Sequence, residues 1–167
     1  GQPEVSDQVL AADYLRSLPY VDKDRIAVMG WSYGGFMSLM MGTEPKMGLA
    51  GILAGAPPTE WSLYDTHYTE RFMSTPEGNV EGYAASDVIP RLPNLTGRLL
   101  LMHGMADDNV ILENSTRVID ALQARSTPFE LMLWPGQRHG VRGNERQLAQ
   151  WRIYLDFLDR TIGTRSR

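Results

Sequence analysis

Ile26-Ala27-Val28-Met29-Gly30-Trp31-Ser32-Tyr33-Gly34-Gly35 decides how this chain is read. Four apolar residues lead into a Gly-x-Ser-x-Gly turn, and a Met-rich helical stretch follows to about Gly42. A strand, a tight turn and a helix in that order are what a nucleophile elbow needs, because the serine must stand exposed at the end of a strand. The glycines have a physical role. Such a turn holds Ser32 in a strained conformation and brings backbones together where a Cβ would obstruct them. The bare motif recurs by chance in many turns, so its weight depends on the rest of the chain.

An elbow of this kind delivers its partners in the chain order Ser, then Asp or Glu, then His. Arg98-Leu99-Leu100-Leu101-Met102-His103 reads as a buried strand, and the polar turn Gly104-Met105-Ala106-Asp107-Asp108-Asn109 after it offers Asp107 as the acid. Phe129 to Trp134 reads as another strand, and Pro135-Gly136-Gln137-Arg138-His139-Gly140 places His139 in the loop beyond it. Three polar residues, each following a buried strand, meet at one edge of a parallel sheet, where open α/β sheets bind ligands. Rivals exist for two of them. Asp108 competes with Asp107 for the acid, and His67 and His103 compete with His139 for the base, although neither has its loop context.

Elsewhere, Ser6 is expected to start a helix whose Ala11, Leu15 and Leu18 share a face, with Pro19 near its end. A strand is expected over Leu49 to Gly55, broken by Pro57-Pro58. Thr59 to Leu95 is aromatic, charged and interrupted by prolines, and reads as short helices and loops forming a cap. Ile111, Ser115, Val118, Ile119 and Leu122 mark the next helix. Leu148, Trp151, Leu155, Leu158 and Ile162 mark the last, with Asn144 as its N-cap and Thr161 to Arg167 as a frayed basic tail. Met37, Met40 and Met41 are read as core filler, and Glu70-Arg71 as a structural ion pair in the cap. Strands alternating with helices imply an α/β protein with a parallel sheet flanked by helices. Only four strands are counted, and no repeat is present.

Composition agrees with one globular domain: 167 residues, 43% hydrophobic and 22% charged. A net charge of -4 gives no reason to expect a nucleic-acid partner. No apolar run has the length of a membrane span, and no signal-peptide pattern is visible. With no cysteine, disulfides, thiolate catalysis and cysteine-ligated zinc are excluded, and either a cytosolic or a periplasmic setting fits. No His or carboxylate cluster has metal-ligand spacing, so neither metal nor other cofactor is expected.

Gly30-Trp31-Ser32-Tyr33-Gly34-Gly35, Trp61 with Tyr64 and Tyr68-Thr69-Glu70-Arg71, His103 to Val110, and His139-Gly140 together resemble the prolyl oligopeptidase family, and within it the dipeptidyl peptidase IV branch. The resemblance runs from Glu4 to about Leu158 with several separated motifs in the right order. It implies the C-terminal part of an α/β-hydrolase fold, belonging to a longer enzyme that also carries the early strands and an N-terminal β-propeller. Residue by residue it implies Ser32 as nucleophile, His139 as base and then acid, and Asp107 as the carboxylate orienting the imidazole. The backbone N–H of Tyr33 would face the oxyanion, with a second donor, a tyrosine hydroxyl, from upstream of this chain.

The resemblance further implies that Trp61, Tyr64, Tyr68 and Val110 line a small hydrophobic pocket for proline or alanine, and that Asn109 holds a substrate carbonyl. Pro58 stands where relatives often have a smaller-ringed or aliphatic residue. The expected partners are a peptide substrate, the remainder of the same polypeptide and a second copy in a homo-oligomer, with a periplasmic or secreted setting favoured and a cytoplasmic one open. The implied activity is release of Xaa-Pro or Xaa-Ala dipeptides from peptide N-termini. An oligopeptidase or acylaminoacyl peptidase of the same family, a carboxylesterase or lipase, and a non-catalytic relative are the alternatives; the joint presence of Ser32, Asp107 and His139 argues against the last.

Overall fold

Four parallel strands, β1 (Ala27–Trp31), β2 (Gly51–Gly55), β3 (Arg98–Gly104) and β4 (Glu130–Trp134), form one sheet in the order β1-β2-β3-β4 in a computed structural model that describes residues 1–163. The helices are α1 (Gln2–Ser17), α2 (Tyr33–Gly42), α3 (Thr66–Met73), α4 (Val80–Ser86), α5 (Glu113–Ala124) and α6 (Asn144–Ile162). The expected cap between β2 and β3 holds α3, α4 and two 3-10 turns, Trp61–Leu63 and Ile89–Asn94.

Alternation along the strands divides the core between the two faces of the sheet, because successive side chains point to opposite sides. Ile52 and Ala54 of β2 and Leu99 and Leu101 of β3 pack with α1, α2, α5 and the cap. Leu53, Leu100 and Met102 pack against Tyr154 and Phe157 of α6. Burying a side chain such as Leu53 or Phe157 contributes about 1.5–3 kcal/mol, whereas an exposed ion pair such as Arg160–Glu130 contributes about 1 kcal/mol at most. Apolar packing therefore seats α6 on the sheet. Met40 and Met41 are buried and Met37 packs against the same core.

Several details differ from the sequence expectation. The first helix starts at Gln2, with Pro3 in its first turn, where proline's missing N–H costs nothing. Its packed side is Val5, Val9 and Ala12; Ala11 and Leu15 are exposed, and Leu18 is the C-cap. This helix has apolar residues on several sides, so contact with α2 selects the buried one. The N-cap of α6 is Gly143, at φ 92°, and Asn144 is the first helical residue. A left-handed φ of that kind favours glycine. Thr161 and Ile162 continue α6, and the rest of the expected basic tail, 164–167, lies outside the described residues. Arg71 lies over the Phe72 ring and makes no ion pair with Glu70 among the described residues, since adjacent residues on a helix do not face each other.

Candidate active site

Ser32 occupies the one-residue turn between β1 and α2 at φ 58°, ψ -121°. For a residue with a Cβ, a positive φ of this sort costs on the order of 1–3 kcal/mol, so the surroundings must hold it. They do so through backbone crowding: a Cβ on Gly30 would sit 2.1 Å from the Gly34 carbonyl oxygen, and one on Gly35 would sit 2.4 Å from that of Gly55. A Cβ on Gly34 would meet open space, so two of the three glycines carry the steric requirement. The Ser32 N–H donates to the Gly55 carbonyl at 2.8 Å, tying the turn to the end of β2.

Two later loops reach this turn. Ser32 Oγ lies 2.8 Å from His139 Nε2, and His139 Nδ1 lies 2.9 Å from Asp107 Oδ2. The carboxylate can only accept, so Nδ1 carries the proton and Nε2 accepts from the serine hydroxyl. The Asp107 side chain is fully buried, and its Oδ1 accepts from the N–H groups of Asn109 and Val110, each at 3.0 Å. Asp108 is exposed and pairs with Arg138 at 3.1 Å, away from the imidazole. His67 is on α3 and His103 is fully buried against Ser115 and the Val110 carbonyl, and among the described residues neither hydrogen-bonds Ser32, whose Oγ pairs with His139.

The acid and base loops are held together by backbone. Met105 N–H donates to the Trp134 carbonyl at 3.0 Å and Ala106 N–H to that of Gln137 at 2.9 Å. A Cβ on Gly104 would lie 2.1 Å from the Arg138 carbonyl oxygen, so glycine is required for the approach. Beneath them the Trp31 indole N–H donates to the His139 carbonyl at 2.9 Å.

Beside Ser32 is a pocket of about 120 Å³ lined by Ser32, Tyr33, Pro58, Trp61, Tyr64 and Tyr68. Its rings brace one another: Trp61 stacks on Tyr68 at 6.0 Å and meets Tyr64 edge-on at 5.8 Å. The Tyr64 hydroxyl donates to Asn109 Oδ1 at 2.9 Å, which links the aromatic wall to the acid turn, and burial pushes the Tyr64 phenol up. Tyr33 is the first residue of α2, where an N–H has no partner within the helix, and its phenol donates to Glu4 at 2.8 Å. Burial, followed by the Glu4 carboxylate, pushes that phenol up as well. The Val110 side chain is fully buried and lies outside this lining, so Val110 reaches the site through its backbone.

Sequence reading marks neither Trp31 nor Gly104, whereas Pro58, which the resemblance sets beside the pocket, lines it. Pro58 had a signal, because it follows the C-terminal end of β2, on the edge where such sheets bind ligands. Trp31 and Gly104 act through contacts more than 30 residues away in the chain, which no local pattern marks.

The family model of the prolyl oligopeptidase family matches residues 1–165. Dipeptidyl peptidase 8 of Homo sapiens is 37% identical over 169 residues, covering 99% of this chain and 19% of that protein. A probable dipeptidyl-aminopeptidase B of Neurospora crassa is 43% identical over 150 residues, covering 84% of this chain and 16% of that protein. The crystal structure of Porphyromonas gingivalis dipeptidyl peptidase 4 superposes with a TM-score of 0.91 at 37% identity, over 95% of this chain and 22% of that one. The chain thus spans about one fifth of the length of these relatives. Its four-stranded sheet is a part of the α/β-hydrolase fold, and the chain belongs to the prolyl oligopeptidase family of serine peptidases.

Proposed function

We propose that this chain is the C-terminal catalytic part of a longer serine peptidase that releases Xaa-Pro or Xaa-Ala dipeptides from peptide N-termini. The observation that carries this reading is the continuous run Ser32 Oγ, His139, Asp107 at 2.8 and 2.9 Å, opening beside the 120 Å³ aromatic pocket. That pocket is well below the roughly 300–1,000 Å³ of drug-sized ligand sites, which suits one small side chain. A pyrrolidine ring packs well on aromatic faces such as those of Trp61 and Tyr68, and about 120 Å³ leaves little room for a long side chain.

In this mechanism His139 takes the Ser32 proton as the oxygen attacks the scissile carbonyl, while buried Asp107 stabilises the imidazolium and fixes its tautomer. The Tyr33 N–H faces the developing oxyanion. His139 then gives its proton to the departing amine, and water enters by the same route in reverse to release the dipeptide and restore Ser32. The relatives' names supply the dipeptide length. Recognition of the substrate amine, and a second oxyanion donor, are assigned to parts of the longer polypeptide: the family's early strands and propeller.

The test uses the full-length polypeptide that contains this segment, assayed on Gly-Pro and Ala-Pro amides, N-blocked peptides and short-chain esters. Fast cleavage of the free-amine amides supports the reading. Cleavage of blocked peptides points to an oligopeptidase or acylaminoacyl peptidase, and ester hydrolysis alone to a carboxylesterase.

A further inference from the structure

We infer that His103 is a positioning residue for the reaction: its buried imidazole holds the turn that aims Asp107 at His139. The inference rests on the triad reading of Ser32, Asp107 and His139. His103 is fully buried near the end of β3, four residues before Asp107, and cannot touch substrate. Its Nε2 lies 2.9 Å from the Val110 carbonyl, and its Nδ1 lies 2.7 Å from Ser115 Oγ on α5. A carbonyl only accepts, so Nε2 carries the proton, and Nδ1 accepts from the Ser115 hydroxyl.

The ring therefore spans β3, the acid turn and α5. Val110 is held by both backbone groups, its carbonyl by His103 and its N–H by Asp107 Oδ1 at 3.0 Å. With Oδ1 occupied in this way, Oδ2 is left for His139, and the same His103 N–H lies 3.4 Å from it as a weaker second donor. The titratable groups facing His103 are Asp107 and His139. Burial pushes the His103 pKa below its ordinary value, which keeps the ring neutral. Neutrality matters, because an imidazolium at this place would compete with His139 for the carboxylate.

The experiment again uses the full-length polypeptide, with Gly-Pro amide kinetics and active sites counted by fluorophosphonate titration. Ser32→Ala comes first, and activity that survives it overturns the triad reading and this inference with it. If Ser32→Ala is inactive, His103→Leu is expected to lower kcat about 10- to 100-fold per titrated site with KM little changed, the scale seen for outer-shell partners that orient metal-bound ligands. His103→Gln is expected to recover most of the loss, because its amide nitrogen reaches the Nε2 position. His103→Asn, whose nitrogen matches Nδ1, is not. Ser115→Ala leaves the ring in place but unpinned and is expected to lower kcat several-fold, which keeps the test open if His103→Leu does not fold. An unchanged kcat per site in Ser115→Ala and in every His103 variant that folds, or equal recovery by Asn and Gln, overturns the inference.

Discussion

Trp31 and His139 are joined by a hydrogen bond from the indole N–H to the backbone carbonyl, 2.9 Å long, so the strand that presents the serine also holds the loop that presents the imidazole. The indole rests on Gly55, where an added Cβ would sit 2.0 Å from the six-membered ring. Trp31→Phe removes the donor and leaves most of the packing. A neutral hydrogen bond contributes about 0.5–1.5 kcal/mol, so a two- to tenfold fall in kcat is expected with KM nearly unchanged. Gly55→Ala is expected to be worse, since it displaces the indole and crowds the elbow, and thermal unfolding together with kcat separates the two effects.

Ser32, His139 and Asp107 act as a unit in this reading, so their losses are not additive. Ser32→Ala and His139→Ala are each expected to reduce turnover of the full-length enzyme by several orders of magnitude, and the double variant by little more than either. A fluorophosphonate is expected to label Ser32, found by peptide mapping. Near-normal peptidase activity in Ser32→Ala would show the assignment to be wrong.

Tyr68 is the test of the pocket. Its ring is stacked on Trp61 at 6.0 Å and edge-on to Tyr64 at 5.5 Å, so Tyr68→Ala opens one wall. Xaa-Pro hydrolysis is expected to weaken by about 1–3 kcal/mol in kcat/KM, the scale of lost apolar pocket contacts, with a short-chain ester affected less. Equal loss on both substrates would assign the tyrosine to folding.

The meeting of Ser32, Asp107 and His139 was more legible in the sequence than the contacts that hold them. Ser32, Asp107 and His139 each follow an apolar strand, and that pattern is local, so their meeting could be read before any coordinates. The packed side of α1 could not be read this way, because Val5, Val9 and Ala12 and the exposed Leu10, Tyr14 and Leu15 are all apolar, and only α2 distinguishes them. The same limit hid Gly104, whose need for glycine comes from the Arg138 carbonyl in another loop. Asp107 and Asp108 stand side by side in sequence, and their burial separates them: one is sealed under the imidazole, the other pairs with Arg138 at the surface.

Glu130 offers a pH test on a part of the molecule remote from catalysis. Arg160 first, and then Arg98, hold its carboxyl below the ordinary carboxylate value of 4.5 and so join β4, α6 and β3. A lowered folded-state pKa means stability that is present above the unfolded value and lost as pH falls through the folded one. Comparing unfolding of the parent with Glu130→Gln at neutral pH and again below pH 4.5, the gap between them is expected to shrink in acid. It is expected to be small throughout, since all three side chains are partly exposed. A gap that widens in acid would reverse the assignment.

The β1 edge predicts how the 167-residue chain behaves alone. β1 pairs only with β2, its outer side faces no strand among the described residues, and Met29 on it is about half exposed. An edge of this kind invites pairing with another chain, and natural edges are often guarded by lysine. The isolated chain is therefore expected to self-associate, and Met29→Lys to reduce that association. Its activity on Gly-Pro amide is expected to be negligible: with Tyr33 as the single proposed oxyanion donor, loss of a second one costs about 100- to 1,000-fold. Size-exclusion chromatography with light scattering, run beside that assay, reads both expectations, and a monomer cleaving the amide at ordinary enzymatic rates would refute them together.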